Sequence, residues 1–101
     1  MASRLKLQTK LEELLEMKHV YYQPPESLKL EYPAIVYSRD NIDKKSADDT
    51  AYLLKNSYEI IVIDKKPDNP VIGKLLALPM CRYDRTYKSD NLNHDVLTLY
   101  F

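Results

Sequence analysis

The side chains that could do chemistry in this chain are few, and their spacing fits no known reactive set. Asp40, Asp43, Asp48 and Asp49 crowd one short stretch, the kind of carboxylate density that a hard cation takes as ligands. The spacing is not that of an EF-hand loop, and the glycine needed at that loop's sharp turn is missing. Ser89, His94 and Asp84 supply the residue types of an acyl-transfer triad, but no G-x-S-x-G turn surrounds Ser89 to present a nucleophile. Asp64 and Asp84 are the strand-associated acids on which magnesium-dependent nuclease chemistry would rest, and such chemistry requires carboxylates that converge. Cys81 is the single cysteine. It excludes an intrachain disulfide and a cysteine-based zinc knuckle, and reads as a small core or half-buried hydrophobe. With Gly73 the one glycine, the phosphate-cradling loops G-x-x-x-x-G-K and G-x-G-x-x-G are absent. The expectation is a chain with no catalytic residue, no metal site and no cofactor.

Bulk properties narrow the class further. The 101 residues are 45% apolar and 30% charged, which suits one globular domain over 1–101 rather than a disordered chain. Fifteen basic residues balance fifteen acidic ones for a net charge of +0. No strong overall pull toward nucleic acid or anionic membrane follows. Basic residues do gather at Lys44-Lys45, at Lys65-Lys66 and at Arg82, Arg85 and Lys88, each beside acids. That is a mixed surface, and no basic recognition helix accompanies it. No apolar run approaches the roughly 20 residues of a membrane span, and no apolar leader is visible. A soluble protein made in the cytoplasm is expected. Nine of the ten aromatics are tyrosine, which suits half-buried surfaces and interfaces better than a dry core.

The elements that would position these residues follow from periodicity. Ser3 reads as an N-cap for a helix running to Lys18, with Leu7, Leu11, Leu14 and Leu15 on one stripe. Lys18 would then complement the helix dipole at its C-terminus. A weak strand at Val20–Tyr22 precedes Pro24-Pro25, a rigid connector. Tyr32–Tyr37 reads as a strand entered through Pro33. The charged segment from Ser38 to Asp49 turns without glycine. Thr50–Asp64 is the strongest strand signal, apolar on both faces toward Ile60–Ile63. Asn69 and Pro70 open a short helix through Leu75, Leu76 and Ala77, with Pro79 past its end. Cys81 to Lys88 alternates, with Cys81, Tyr83, Arg85 and Tyr87 on one side. Ser89–Asn93 joins it to a last strand, Val96 to Phe101. The fold class expected is α+β: a mainly antiparallel sheet of four to five strands, with the N-terminal and the short second helix packed on one face. The other face is left for a partner.

Several segments occur in a familiar order: Tyr22-Gln23-Pro24-Pro25-Glu26, Tyr32 to Tyr37, Asp40-Asn41-Ile42-Asp43, Val62-Ile63-Asp64 and Leu75 to Pro79. Ser89 to Asp95 and Leu97 to Phe101 close the set. Together, over about residues 20–101, they resemble the tail terminator (tail-completion, head–tail joining) proteins of tailed bacteriophages. The resemblance implies a structural virion protein and not an enzyme. Its subunits form a hexameric ring on the head-proximal end of the tail tube, stop tube polymerisation and join the tail to the neck. Implied partners are copies of itself, the tail tube protein, a head-completion or neck protein and, transiently and without sequence specificity, the genomic DNA in the channel. Implied locations are the host cytoplasm and then the virion, with no membrane contact.

On this reading the loop carrying Arg39, Asp40, Asn41, Asp43, Lys44 and Lys45 contacts a neighbouring subunit or lines the channel, its opposite charges fixing register. Tyr83, Arg85 and Tyr87, with Tyr100 and Phe101 at the end of the last strand, are candidates for ring or tube contacts. Two alternatives stay open: another neck component such as the head-completion stopper, and a small metal-dependent nuclease-like enzyme.

Overall fold

The computed structural model describes residues 4–39, 57–67 and 69–101. The elements in chain order are α1 (Arg4–Leu15), β1 (Val20–Tyr22), β2 (Ala34–Arg39), β3 (Ser57–Asp64), α2 (Val71–Leu76), β4 (Cys81–Ser89) and β5 (Leu92–Tyr100). The strands form one sheet in the order β1-β2-β3-β5-β4. β1 runs parallel to β2, and the other three pairings are antiparallel. This is the expected α+β class.

Registry divides the sheet into two chemically different faces. Ile35 pairs with Val62 and Tyr37 with Ile60, and Tyr58 pairs with Leu99 and Ile60 with Leu97. These residues share one face, and with Val20 they form the core under Leu7, Leu11 and Leu15 of α1 and Val71 and Leu75 of α2. Both helices therefore cover the same face. Ala34, Ile63 and Val96 are buried on the opposite face, outside that cluster.

α1 is shorter than its sequence suggests. It stops at Leu15 because Glu16 takes a left-handed φ of 61°, which ends a helix. Lys18 lies beyond it, and the cation at the carboxyl end comes from α2 instead. Lys74 Nζ donates to the Leu14 carbonyl at 3.3 Å and to Glu16 Oε2 at 3.1 Å, where positive charge complements the helix dipole. Leu14 is half-buried and packs at the core's margin.

Tyr37 ties α1 to the sheet. Its ring is buried and lies 4.9 Å from that of Tyr22 and 6.1 Å from that of Tyr58, centroid to centroid. Its hydroxyl donates to Gln8 Oε1. Burial pushes this phenol's pKa above its ordinary value. Gln8 Nε2 in turn donates to the Val20 carbonyl at 2.9 Å, so one glutamine links α1, β1 and β2.

The segment after β3 is a turn held by side chains. Asp64 accepts from the Lys66 N–H at 3.2 Å and from Asn69 Nδ2 at 2.7 Å. Asn69 Oδ1 accepts from the Val71 N–H at 2.9 Å, satisfying a donor at the start of α2. With so little glycine, left-handed backbone among the described residues falls on Glu16, Gln23, Met80, Asp90 and Asn91. Asp90 and Asn91, at φ 53° and 62°, make the tight two-residue turn between β4 and β5, a geometry that Asp and Asn tolerate.

Candidate functional site

The helix-free face presents Ala34, Val36 and Ser38 from β2, and Ser57, Glu59, Ile61 and Ile63 from β3. β5 adds His94, Val96, Thr98 and Tyr100, as the pairings require. Its apolar strip is narrow and its margin polar, which suits a protein contact better than a binding cavity.

The β4–β5 hairpin is the other distinctive surface. From Arg82 to Ser89 every β4 residue is exposed, so this strand adds little to its own core. A register shift between Tyr83 and Arg85 places a β-bulge at Asp84. An extra residue reverses which face later side chains meet. Tyr83, opposite Leu97, therefore lies on the helix-covered side, whereas Arg85 and Tyr87, opposite Val96 and His94, lie on the helix-free side. The uninterrupted alternation expected for Cys81, Tyr83, Arg85 and Tyr87 does not hold. The bulge splits them.

The structure places Arg39, Tyr83, Arg85, Tyr87, Tyr100 and Phe101. Arg39 is exposed at the end of β2, and its N–H donates to Gln23 Oε1 at 3.2 Å. Asp40, Asn41, Asp43, Lys44 and Lys45, like Asp48 and Asp49, lie outside the described residues. Tyr83 donates from its hydroxyl to Asp95 Oδ1 at 2.7 Å, and that bond raises its pKa. Tyr87 stacks on His94 with centroids 4.6 Å apart and planes at 10°, and the Arg85 guanidinium lies 5.9 Å from the Tyr87 centroid. Tyr100 is half-buried on the helix-free side, while Phe101 is half-buried and packs against the core. Arg85, Tyr87 and His94 thus form one ladder, which Tyr83 and Phe101 do not join. His94's place in it was missed, although counting back from a two-residue Asp90-Asn91 turn sets Tyr87 opposite His94.

The bulge has its own chemistry. Asp84 Oδ1 accepts from Arg82 Nε at 2.9 Å, and Oδ2 accepts from the Thr98 hydroxyl. The Thr98 bond, then Arg82, hold the Asp84 carboxyl below its ordinary pKa. A carboxylate with a depressed folded pKa stabilises fully above its unfolded value, about 3.9, and loses that effect as pH falls through the folded value. Below about pH 4 the hairpin amides should lose protection relative to their intrinsic exchange rates. Followed by NMR, the Asp84 carboxyl should titrate closer to its ordinary value in Thr98→Val. An unchanged midpoint would remove Thr98 as the main cause.

Among the described residues the reactive combinations are not assembled. Asp64, opposite Asn93, and Asp84, beside Thr98, lie on opposite faces and five residues apart along β5, roughly 16 Å at 3.3 Å per residue. His94 Nδ1 faces the Leu92 carbonyl at 3.1 Å, and its ring stacks on Tyr87, not on Ser89 or Asp84. Among the described residues no group of three or more His, Cys, Asp or Glu side chains could hold a metal ion. Burial raises the Cys81 pKa, which opposes a thiolate nucleophile. His19 Nε2 sits 2.9 Å from Glu31 Oε2 and Nδ1 3.2 Å from the Pro33 carbonyl, bracing the loop before β2. A depression of about 290 Å³ beside α1, lined by Thr9, Glu12, Glu13, Glu16, Met17 and Lys18, gathers no reactive set.

A scan against protein-family models and a search of the curated proteins each find no match to this chain. The site is therefore read from its own geometry, and that geometry is one of surfaces. No helix among the described residues is long and apolar enough to cross a membrane.

Proposed function

We propose that this chain is a structural subunit of a phage tail: a terminator that rings the head-proximal end of the tail tube, stops its growth and joins it to the neck. The ordered set of segments from Tyr22 to Phe101 carries the reading. Where described, those segments fall on the strands, the second helix and the turns of a single sheet. A helix-free face and an exposed hairpin are the surfaces such a subunit needs toward its neighbours and the tube. Head-to-tail contacts that close by rotation give a ring. Its partners on this reading are further copies, the tube protein and a neck protein, with DNA passing through.

The test is native mass spectrometry of the purified protein, with electron microscopy of tail tubes mixed with it. A sixfold species, or protein seated on tube ends, supports the reading. Changing Arg39→Glu, Asp40→Lys and Asp43→Lys together should weaken that binding while the melting curve stays unchanged. Full-strength tube-end binding by this variant would remove the segment from Arg39 to Asp49 from the account. Metal-dependent cleavage of DNA by the protein would replace the reading with the enzymatic one.

A further inference from the structure

We propose that two copies of this chain pair in solution through β4, edge to edge and antiparallel, with Asp84 of each copy opposite Arg85 of the other. The inference does not rest on the tail reading, because such a pair forms whatever the copies later build.

The two edges of the sheet are unequal. β1 is three residues long, and Gln8 of α1 occupies its Val20 carbonyl. β4 is nine residues long, exposed from Arg82 onward, and no described strand pairs with its outer side. An unpaired strand edge of that length is a template for another strand.

Backbone direction and side-chain direction then select one register. The Tyr100 N–H donates to the Met80 carbonyl at 3.2 Å, so the even-numbered residues of β5 turn toward β4. Their partners Arg82, Arg85 and Tyr87 turn inward, and Cys81, Tyr83, Thr86 and Lys88 turn their peptide groups to the open edge. In a straight strand, antiparallel self-pairing matches faces only if the paired residue numbers sum to an even number. The bulge shifts this by one. Centred on Asp84 and Arg85, the pairing sets Cys81 against Lys88 and Tyr83 against Thr86, all four with outward peptide groups and all on the helix-covered side. Arg82 meets Tyr87 and Asp84 meets Arg85 on the other side.

The chemistry of these pairs agrees with the register. Asp84 meets Arg85 twice, opposite charges directly across a strand pair. Arg82 meets the exposed ring of Tyr87, a guanidinium–aromatic contact. Bulges and charges ordinarily defend an edge against pairing. Here both are self-complementary, as an isologous contact demands. A two-fold axis normal to the sheet keeps the helices of both copies on one side, so the pairing buries no helix.

Sedimentation and native mass spectrometry of the full chain test the proposal. The wild-type protein should be a dimer or a larger even-numbered oligomer that contains this pair. Arg85→Asp, which sets Asp84 against a second carboxylate, and Asp84→Arg, which sets Arg85 against a second cation, should each give monomers with folded circular dichroism spectra. An equimolar mixture of the two variants should restore the dimer, since each supplies the charge the other lacks. Separately, Lys88→Cys places a thiol opposite Cys81 of the second copy at a separation that a disulfide spans. Mild oxidation should link it as a dimer, whereas Lys65→Cys should stay unlinked. A wild-type monomer, or an oligomer that Arg85→Asp leaves intact, overturns the pairing. An intact hexamer in that variant would do so while leaving the tail reading standing.

Discussion

Leu11→Asp is expected to leave the chain unfolded at room temperature. Leu11 is fully buried between Leu7 and Leu15 on the face α1 turns to the sheet. A carboxylate there has no partner, and burying one costs more than about 4 kcal/mol. A domain of this size has a total stability of about 5–15 kcal/mol, so the substitution removes most or all of it. Leu14→Asp is the instructive control. Leu14 is half-buried at the margin of the same core, so its replacement can reach water and should cost markedly less. Urea unfolding followed by circular dichroism measures both. Equal losses would mean that α1 is rotated from the orientation described.

Tyr37→Ala should be nearly as severe, at about 3–5 kcal/mol, because it removes a buried ring and leaves a cavity that its neighbours fill only in part. Tyr37→Phe separates the two contributions of this residue. It keeps the contacts with Tyr22 and Tyr58 and removes the hydroxyl that donates to Gln8. That leaves a half-buried acceptor unpaired and should cost about 1–2 kcal/mol. Because Gln8 also holds the Val20 carbonyl, the phenylalanine variant should raise amide exchange in β1 more than in β3. Uniform exchange across the sheet would show that Gln8 does not couple the helix to β1.

The sequence made most of the elements legible and less of their arrangement. The leucine stripe of α1 and the strand ending at Asp64 each produce a periodic pattern strong enough to place a core. The stop at Leu15 does not, because the left-handed residue there is Glu16 and glutamate carries no such signal. The parallel pairing of β1 with β2 was equally silent, since three residues, Val20 to Tyr22, set no direction. At the candidate surface the hidden feature was the bulge. Alternation betrays an extra residue only where one face is apolar, and β4 is polar on both. Arg85 and Tyr87 therefore looked like companions of Tyr83. The tight turn at Asp90 and Asn91 fixes the true opposition of Tyr87 and His94, and Thr98, fourteen residues from Asp84 in the chain, is the partner that anchors the bulge. Among the described residues, Asp64 holds the turn after β3, His94 stacks on Tyr87 and His19 braces the loop before β2.

The single glutamine laid along β1 has one more implication. A sheet that can accept a strand on either flank can also grow without limit, copy upon copy, as fibrils do. With Gln8 seated on the Val20 carbonyl, accretion on that flank is blocked. On the pairing proposed above, joining through β4 is thus self-limiting, and the paired chain stays dispersed where a sheet open on both flanks would not.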